Sequence, residues 1–461
     1  MKRYVLIILI WFFAGGVRAQ TISLDEFMAI VKTHHPIAKQ AAIGVDIAKA
    51  EVTAARGGFD PLFTNEISRK EFGGLLYYDQ QTTELKIPTW YGVDVVAGVE
   101  SLTGNRTSTP DTKGNTSYVG FSVPVAKGLF MDKRRAALQQ AKIFQNLSVQ
   151  EQRTVLNDLL YAAAGAYWMW WQQYQVQLLF QQAIKNAEQR FKLVKTAYEF
   201  GDRPAIDTVE ALAQLQSFQM RQAEISLEIA NAQLEVNVFL WQQSGEAYSL
   251  PGTVVPQRTP TNEGNMRLEN LLQSLQQHPE LQQYRFKLEA LNVERRLKFQ
   301  SLLPSVYLKY NQLNGSHDLV KNFSTPWLQN NYRYGVAVAM PLRLSEGRGE
   351  YRKAKLKIEQ TELEQINKQV GLQTKLRQYY NEWQNLQGQM ALQQKVIASY
   401  IALQRGEELR FLNGESSLFL INARELKTLE AQQKLIELES KEGKAAASTL
   451  WAAGTLVNAP R

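Results

Sequence analysis

The 461-residue sequence contains no cysteine, so no disulfide staples the fold and no thiol can carry an N-terminal lipid or hold a metal. Histidine is nearly as scarce. His34 and His35 stand side by side before Pro36, where two adjacent imidazoles at a helix end do not converge on one ion, so no metal site is expected. No phosphate loop, HExxH motif or nucleophile elbow occurs, and the chain reads as a non-enzyme without a cofactor. Past residue 20 no apolar run approaches the roughly 20 residues that a membrane helix needs, so any membrane contact must be made by strands. Charge of one sign is also lacking. The 52 Lys and Arg stand against 44 Asp and Glu, and a surplus of +8 spread along so long a chain does not argue for nucleic acid.

What is present begins with an export signal. Lys2 and Arg3 precede an apolar run from Val5 to Ala14, followed by Gly15-Gly16 and the small-residue site Val17-Arg18-Ala19. This predicts a signal peptide over 1–19, cleaved after Ala19, whose loss removes three cations and leaves +5.

The sequence then repeats itself. Arg135, Tyr167, Trp170 and Gly201 recur as Arg348, Tyr380, Trp383 and Gly414 at a constant offset of 213, which requires two long helices of equal length. Upstream, His35-Pro36, Glu51 and Pro61 recur as His278-Pro279, Glu294 and Pro304 at an offset of 243. Pro124 matches Pro341 at 217, so 26 extra residues sit inside a β-rich insert of the first copy.

Period-two alternation marks the strands. Tyr332, Tyr334, Val336, Val338 and Met340 alternate with Arg333, Gly335, Ala337 and Ala339, and Val306, Leu308 and Tyr310 and then Val119, Phe121 and Val123 behave alike. Each segment is about ten residues, the length of a tilted strand crossing an outer membrane, although a soluble sheet alternates in the same way. Thr83 to Ile87 and Val93 to Glu100 are two further candidates inside the excess, either a membrane hairpin or one projecting beyond it. The polar stretches Thr103 to Ser117 and Asn314 to Asn331 read as long exposed connections.

From Lys127 to Phe200 there is no proline, and a helix of that length would reach roughly 110 Å. A four-three seam runs through Val155, Leu159, Ala162, Ala166, Met169, Gln173, Val176, Phe180, Ala183 and Ala187. Gly201-Asp202-Arg203-Pro204 predicts a turn, and a return helix to about Gln243 carries the seam Val209, Ala213, Gln216, Met220, Ala223, Leu227, Ala230 and Leu234. The second copy repeats this hairpin around Asn413-Gly414. Trp168, Trp170 and Trp171 lie too far along the helix for a membrane aromatic belt, and they are expected in a collar built with the N-terminal, inter-copy (Tyr248 to Gly264) and C-terminal segments.

With these parts in this order the chain resembles the TolC family of outer-membrane efflux channels. The resemblance rests on the strand-to-helix junctions Ser122-Val123-Pro124 with Arg134-Arg135-Ala136 and Met340-Pro341-Leu342 with Gly347-Arg348-Gly349, and on the turns Tyr198 to Gly201 and Phe411 to Gly414. It implies a mainly α fold with transmembrane β strands, in which a trimeric β-barrel continues into a long periplasmic α-helical coiled-coil tunnel. The expected organisation is a signal peptide 1–19, then a first repeat 20–246 with strands about 62–125 and a hairpin 127–245. A linker 247–264 leads to a second repeat 265–461 with strands about 303–341, a hairpin 346–449 and a C-terminal tail. The implied function is the passive exit duct of a tripartite efflux or type I secretion system. Its implied partners are two further copies in a homotrimer, a periplasmic adaptor, an inner-membrane RND, ABC or MFS transporter and outer-membrane lipid, with no lipid anchor on the chain. A few strands per chain cannot close a barrel alone, which agrees with the trimer. A periplasmic coiled-coil adaptor or scaffold would also be exported and hairpin-rich, but it needs only one hairpin flanked by compact β domains.

In the family, acids six and nine residues after the second turn glycine ring the periplasmic entrance. Here those positions are Leu420 and Ala423, whereas the first copy has Asp207 and Glu210 at that spacing, with Arg203 in the turn. Arg203, Asp207 and Glu210 are therefore the candidate gate, against a plain helix-capping role favoured by the helix dipole. Gly201, Asp202, Gly414 and Glu415 mark the hairpin tips where an adaptor would dock.

Overall fold

A computed structural model describes residues 21–105, 112–258, 266–324 and 326–458; the expected signal peptide, the middle of the stretch 103–117 and all of 259–264 lie outside these. The chain divides into two compact units, each drawing on both repeats. One contains the described residues through Gln40, Thr154–His278 and the chain from Gly371 onward; the other contains Ala41–Arg153 and Pro279–Val370.

The second unit holds a six-stranded antiparallel sheet in the order β2 (Leu62–Phe72), β3 (Leu75–Pro88), β4 (Asp94–Thr103), β5 (Gly114–Pro124), β7 (Ser305–Asn314) and β8 (Tyr332–Ala339). The two strands suspected in the insert are therefore full members of the sheet, paired along their length with β2 on one side and β5 on the other. The alternation test missed β2 because Glu66, Arg69, Lys70 and Glu71 interrupt its pattern. Pairing register places Phe63, Ile67, Leu85, Ile87, Val95, Ala97, Val119, Phe121, Val123, Val306, Leu308, Val336 and Val338 on one face. The opposite face carries Glu66, Glu84, Lys86, Asp94, Glu100, Lys309 and Arg333 among small residues. There the Tyr118 hydroxyl donates to Glu84 Oε2 at 2.7 Å, and Lys86 pairs with Asp94 at 3.0 Å. Two-faced strands of this kind occur in membrane barrels and in sheets with one face in water.

The β7–β8 connection is not simply exposed. Trp327 stacks on Tyr310 at 5.4 Å, Gln312 donates to Asn330 O at 3.1 Å, and Asn322 in the short helix α7 (Lys321–Ser324) donates to Ser117 Oγ at 3.0 Å. The junction into helix α3 (Lys133–Glu199) is set by Asp132, which accepts from the Arg135 backbone N–H at 2.8 Å, while the Arg135 guanidinium donates to Gly128 O. Helices α2 (Pro36–Arg56) and α6 (Pro279–Phe299) complete the unit's helical complement with α3 and with α8 (Ser345–Leu412).

The first unit contains the remaining lengths of α3 and α8 with their return helices α4 (Ala205–Asn237) and α9 (Leu418–Ala452). Its core joins Tyr167, Trp168, Trp170 and Trp171 to Phe27 and Val31 of α1 (Leu24–His34), to Val254 and to Leu456, which is the collar expected from N-terminal, inter-copy and C-terminal segments. Tyr167 is the pin. Its hydroxyl lies 2.8 Å from Ile22 O and 2.7 Å from Gln257 O, bridging the parallel pair β1 (Thr21–Ser23) and β6 (Val255–Gln257), and burial pushes its pKa up. Gly443 lets α9 lie flat on Trp168, since a Cβ there would sit 2.1 Å from the indole. Trp383 repeats the arrangement in the second copy, burying its ring with Met266, Leu386 and Leu438 and donating to Glu442 at 2.8 Å.

The α4 seam is a correction. Val209, Met220, Leu227 and Leu234 are 61–70% exposed within the chain, and the buried stripe is Ala211, Leu215, Phe218, Ile225, Ala232 and Val236. On α3 the seam is buried at Leu159, Val176, Phe180, Ala183 and Ala187, whereas Val155 is exposed. A helix with neighbours on two sides carries two apolar stripes of identical period, and periodicity cannot say which one its own chain covers.

Candidate functional site

The hairpin tips belong to the first unit, and both turns follow one geometry. After α3 the N–H of Gly201 bonds Tyr198 O at 2.9 Å and that of Asp202 bonds Ala197 O at 2.9 Å; after α8 Gly414 bonds Phe411 O at 3.0 Å and Glu415 bonds Arg410 O at 2.8 Å. This helix-ending motif needs a left-handed residue, and Gly201 and Gly414 supply it at φ +81° and +78°. Pro204 caps α4, and Ser417 caps α9 by accepting from Leu420 N. The turns match across the repeats because the helices before them, of 67 and 68 residues, match.

The candidate gate residues lie between the two hairpins. Arg203 sits 4.0 Å above the Phe411 ring, donates to Phe411 O at 3.3 Å and pairs with Asp207 at 3.8 Å. Glu210 accepts from Asn422 Nδ2 at 3.1 Å, and Asn422 Oδ1 accepts from Arg190, whose guanidinium forks onto Glu425 at 2.6 and 3.0 Å. Beneath this polar row Val194, Ala211 and Leu418 form an apolar cluster. Asp207 is held by Arg203 in the i, i+4 relation, and α4 has no side-chain cap. Leu420 and Ala423, at the positions acidic in the family, are exposed.

Arg190, Asn422, Glu425 and Glu407 escaped the sequence reading. Each finds a partner outside its own helix, and no local motif marks such a pair. Glu407 is buried at the end of α8, where it accepts from Ser416 Oγ at 2.6 Å and faces Arg410 at 3.6 Å and Arg424 at 3.7 Å. The Ser416 hydroxyl, then the two guanidiniums, hold its pKa below the ordinary carboxylate value. A depressed carboxyl contributes stability above the unfolded pKa of about 4.3 and loses it as pH falls through the folded value. Glu407→Gln is therefore expected to raise amide exchange across Leu409–Leu420 at pH 7 and to make progressively less difference as pH falls from about 4.3 through the lower folded value. Equal protection in both proteins at pH 7 would contradict this.

The tips also expose apolar side chains: Phe200 at 79%, Leu412 at 78% and Phe419 at 68%, beside the exposed Asp202 and Glu415. Among the described residues no cluster of side chains could hold a metal, and no helix is long and apolar enough to cross a membrane.

Residues 92–240, from the turn before β4 to just beyond α4, match the family model described as outer membrane efflux protein. No curated protein sequence matches the chain. Among solved structures, the chain is similar to the CusC transmembrane channel (15% identity, 93% of this chain and 91% of that one, TM-score 0.66). It is similar to the CmeC outer membrane channel of Campylobacter jejuni (15%, 94% and 85%, 0.64) and to the VceC outer membrane protein of Vibrio cholerae (16%, 94% and 96%, 0.65). Residues 92–240 thus carry the signature of outer membrane efflux proteins, and nearly the whole chain shares the fold of the CusC, CmeC and VceC structures.

Proposed function

We propose that three copies form the passive exit duct of a tripartite efflux or type I secretion system, carrying substrates from a periplasmic adaptor and an inner-membrane RND, ABC or MFS pump to the exterior. The observation that carries this is the two-faced sheet with open edges in the same chain as two equivalent hairpins. A lone adaptor or scaffold has no use for such a sheet. The exposed apolar stripe of α4 is the surface a neighbouring copy covers, and Phe200, Leu412 and Phe419 with Asp202 and Glu415 are where the adaptor docks. Deleting the gene, with redundant channels removed, is expected to sensitise cells to toxic compounds or to stop secretion of a protein. Unchanged sensitivity and secretion would overturn the proposal.

Arg203, Asp207 and Glu210 act in this reading as a latch between hairpins rather than as a lumenal ring of carboxylates. Arg190→Ala leaves the buried Glu425 without its counter-charge, a loss of about 3–5 kcal/mol for a buried pair, and is expected to open the tips and raise single-channel conductance in planar bilayers. Arg203→Ala should do so less. Asp207→Asn with Glu210→Gln should raise conductance while cation selectivity stays nearly constant. A large loss of selectivity at low salt, with conductance unchanged, would return these carboxylates to the lumen.

A further inference from the structure

We propose that the barrel is closed by pairing β2 of one copy with β8 of the next, so that three copies build an 18-stranded barrel to which every strand of the six-stranded sheet belongs. The count rests on the trimer proposed above; the pairing rests on the sheet itself. The sheet begins at β2 and ends at β8, and these two strands do not pair with each other within the chain. Among the described residues each therefore presents a row of unpaired backbone N–H and C=O groups, which a hydrocarbon environment does not tolerate. Six strands are also fewer than the eight of the smallest membrane barrels.

The occupant of each edge is indicated by three features. β8 is exposed at all eight residues and β2 at ten of eleven, whereas β4 and β5 inside the sheet are largely covered. Most of the exposed apolar side chains of both edges lie on the same face: Phe63 (68%) and Ile67 (66%) on β2, and Tyr334 (67%), Val336 (61%) and Val338 (67%) on β8, with Leu62 (55%) of β2 on the other. All six strands alternate in direction, so β2 and a neighbouring copy's β8 meet antiparallel and the alternation continues unbroken around the ring. A second copy of this chain satisfies all three at once.

The alternative leaves the β2–β3 hairpin outside a barrel of twelve strands. It would turn Leu85 and Ile87 out of a belt they share with Val95, Ala97 and Phe121, and would break pairing that runs the whole length of β4. Because barrel diameter grows roughly linearly with strand number, eighteen strands enclose about twice the cross-section of twelve, which favours bulky cargo.

The absence of native cysteine makes the test direct. Phe63→Cys or Asn65→Cys is combined in turn with Tyr334→Cys, Val336→Cys and Val338→Cys, and the purified protein is oxidised in detergent. Covalent dimers and trimers on denaturing gels are expected from at least one β2–β8 pair. Cross-links from Ala97→Cys on β4 to β8, with none from β2, would overturn the proposal. Native mass of the same samples separates the two readings, since a mass other than three copies refutes the trimer and the count of eighteen. As belt cysteines can block assembly, a cryo-electron microscopy map of the unmodified protein counts strands independently; twelve would overturn the proposal and eighteen would support it.

Discussion

Val336→Arg is expected to abolish accumulation of assembled protein in the outer membrane, while Ala337→Arg one position later is tolerated. The two residues sit side by side on β8 but on opposite faces, because Val336 lies across from Leu308 and Ala337 across from Tyr307. Val336 shares the apolar face with Val306, Leu308 and Val338, so its substitution places a guanidinium in lipid at a cost of about 2–4 kcal/mol near the membrane midplane. In a trimer that cost recurs in every copy. Ala337 shares the polar face with Lys309 and Arg333, where a further cation meets water. Denaturant unfolding of refolded protein in bilayers, together with the yield of assembled channel in membrane fractions, measures both. Equal losses for the two variants would show that the faces are misassigned.

The second large effect separates folding of one chain from assembly. Phe218 is 2% exposed and packs edge-on against Phe180 at 6.1 Å, within a cluster that includes Val176, Leu215, Ile225 and Leu429. Phe218→Ala is expected to cost about 3–5 kcal/mol, because the cavity it leaves is walled by helices that cannot close on it. That loss should appear at any protein concentration. Ala223 lies instead on the exposed stripe with Met220 and Leu227, so Ala223→Trp should leave helix content and the single-chain fold intact and reduce trimer yield sharply. Lys185→Glu, on an exposed face of α3, should change neither. Circular dichroism melts and native mass in detergent distinguish these outcomes. Loss of secondary structure in Ala223→Trp, with Phe218→Ala behaving as the native protein, would reverse the assignment of the two stripes.

Much of the protein is determined by its sequence alone, and the reason is locality. The long helices follow from an absence of proline and a sustained four-three pattern, and the turns from Gly201 and Gly414, whose left-handed backbone other residues adopt at a cost. The duplication follows because matched helices keep matched positions in register. The collar of Tyr167 and Trp170 was legible for the same reason, since bulky aromatics too far from the strands for a membrane belt require a core elsewhere. Only the tertiary structure decided the rest. Whether the Val209–Leu234 stripe or the Ala211–Val236 stripe is covered by the chain itself depends on which neighbour each faces, and both have the same period. That Glu210 meets Asn422, and Arg190 meets Glu425, depends on helices more than 200 residues apart in sequence, and no local pattern encodes such a pair. The charged strand β2 is a strand because β3 offers it a complete ladder of backbone partners, which its own alternation does not announce. Periodicity specifies what a segment can become; contact with distant segments decides which of its faces is used.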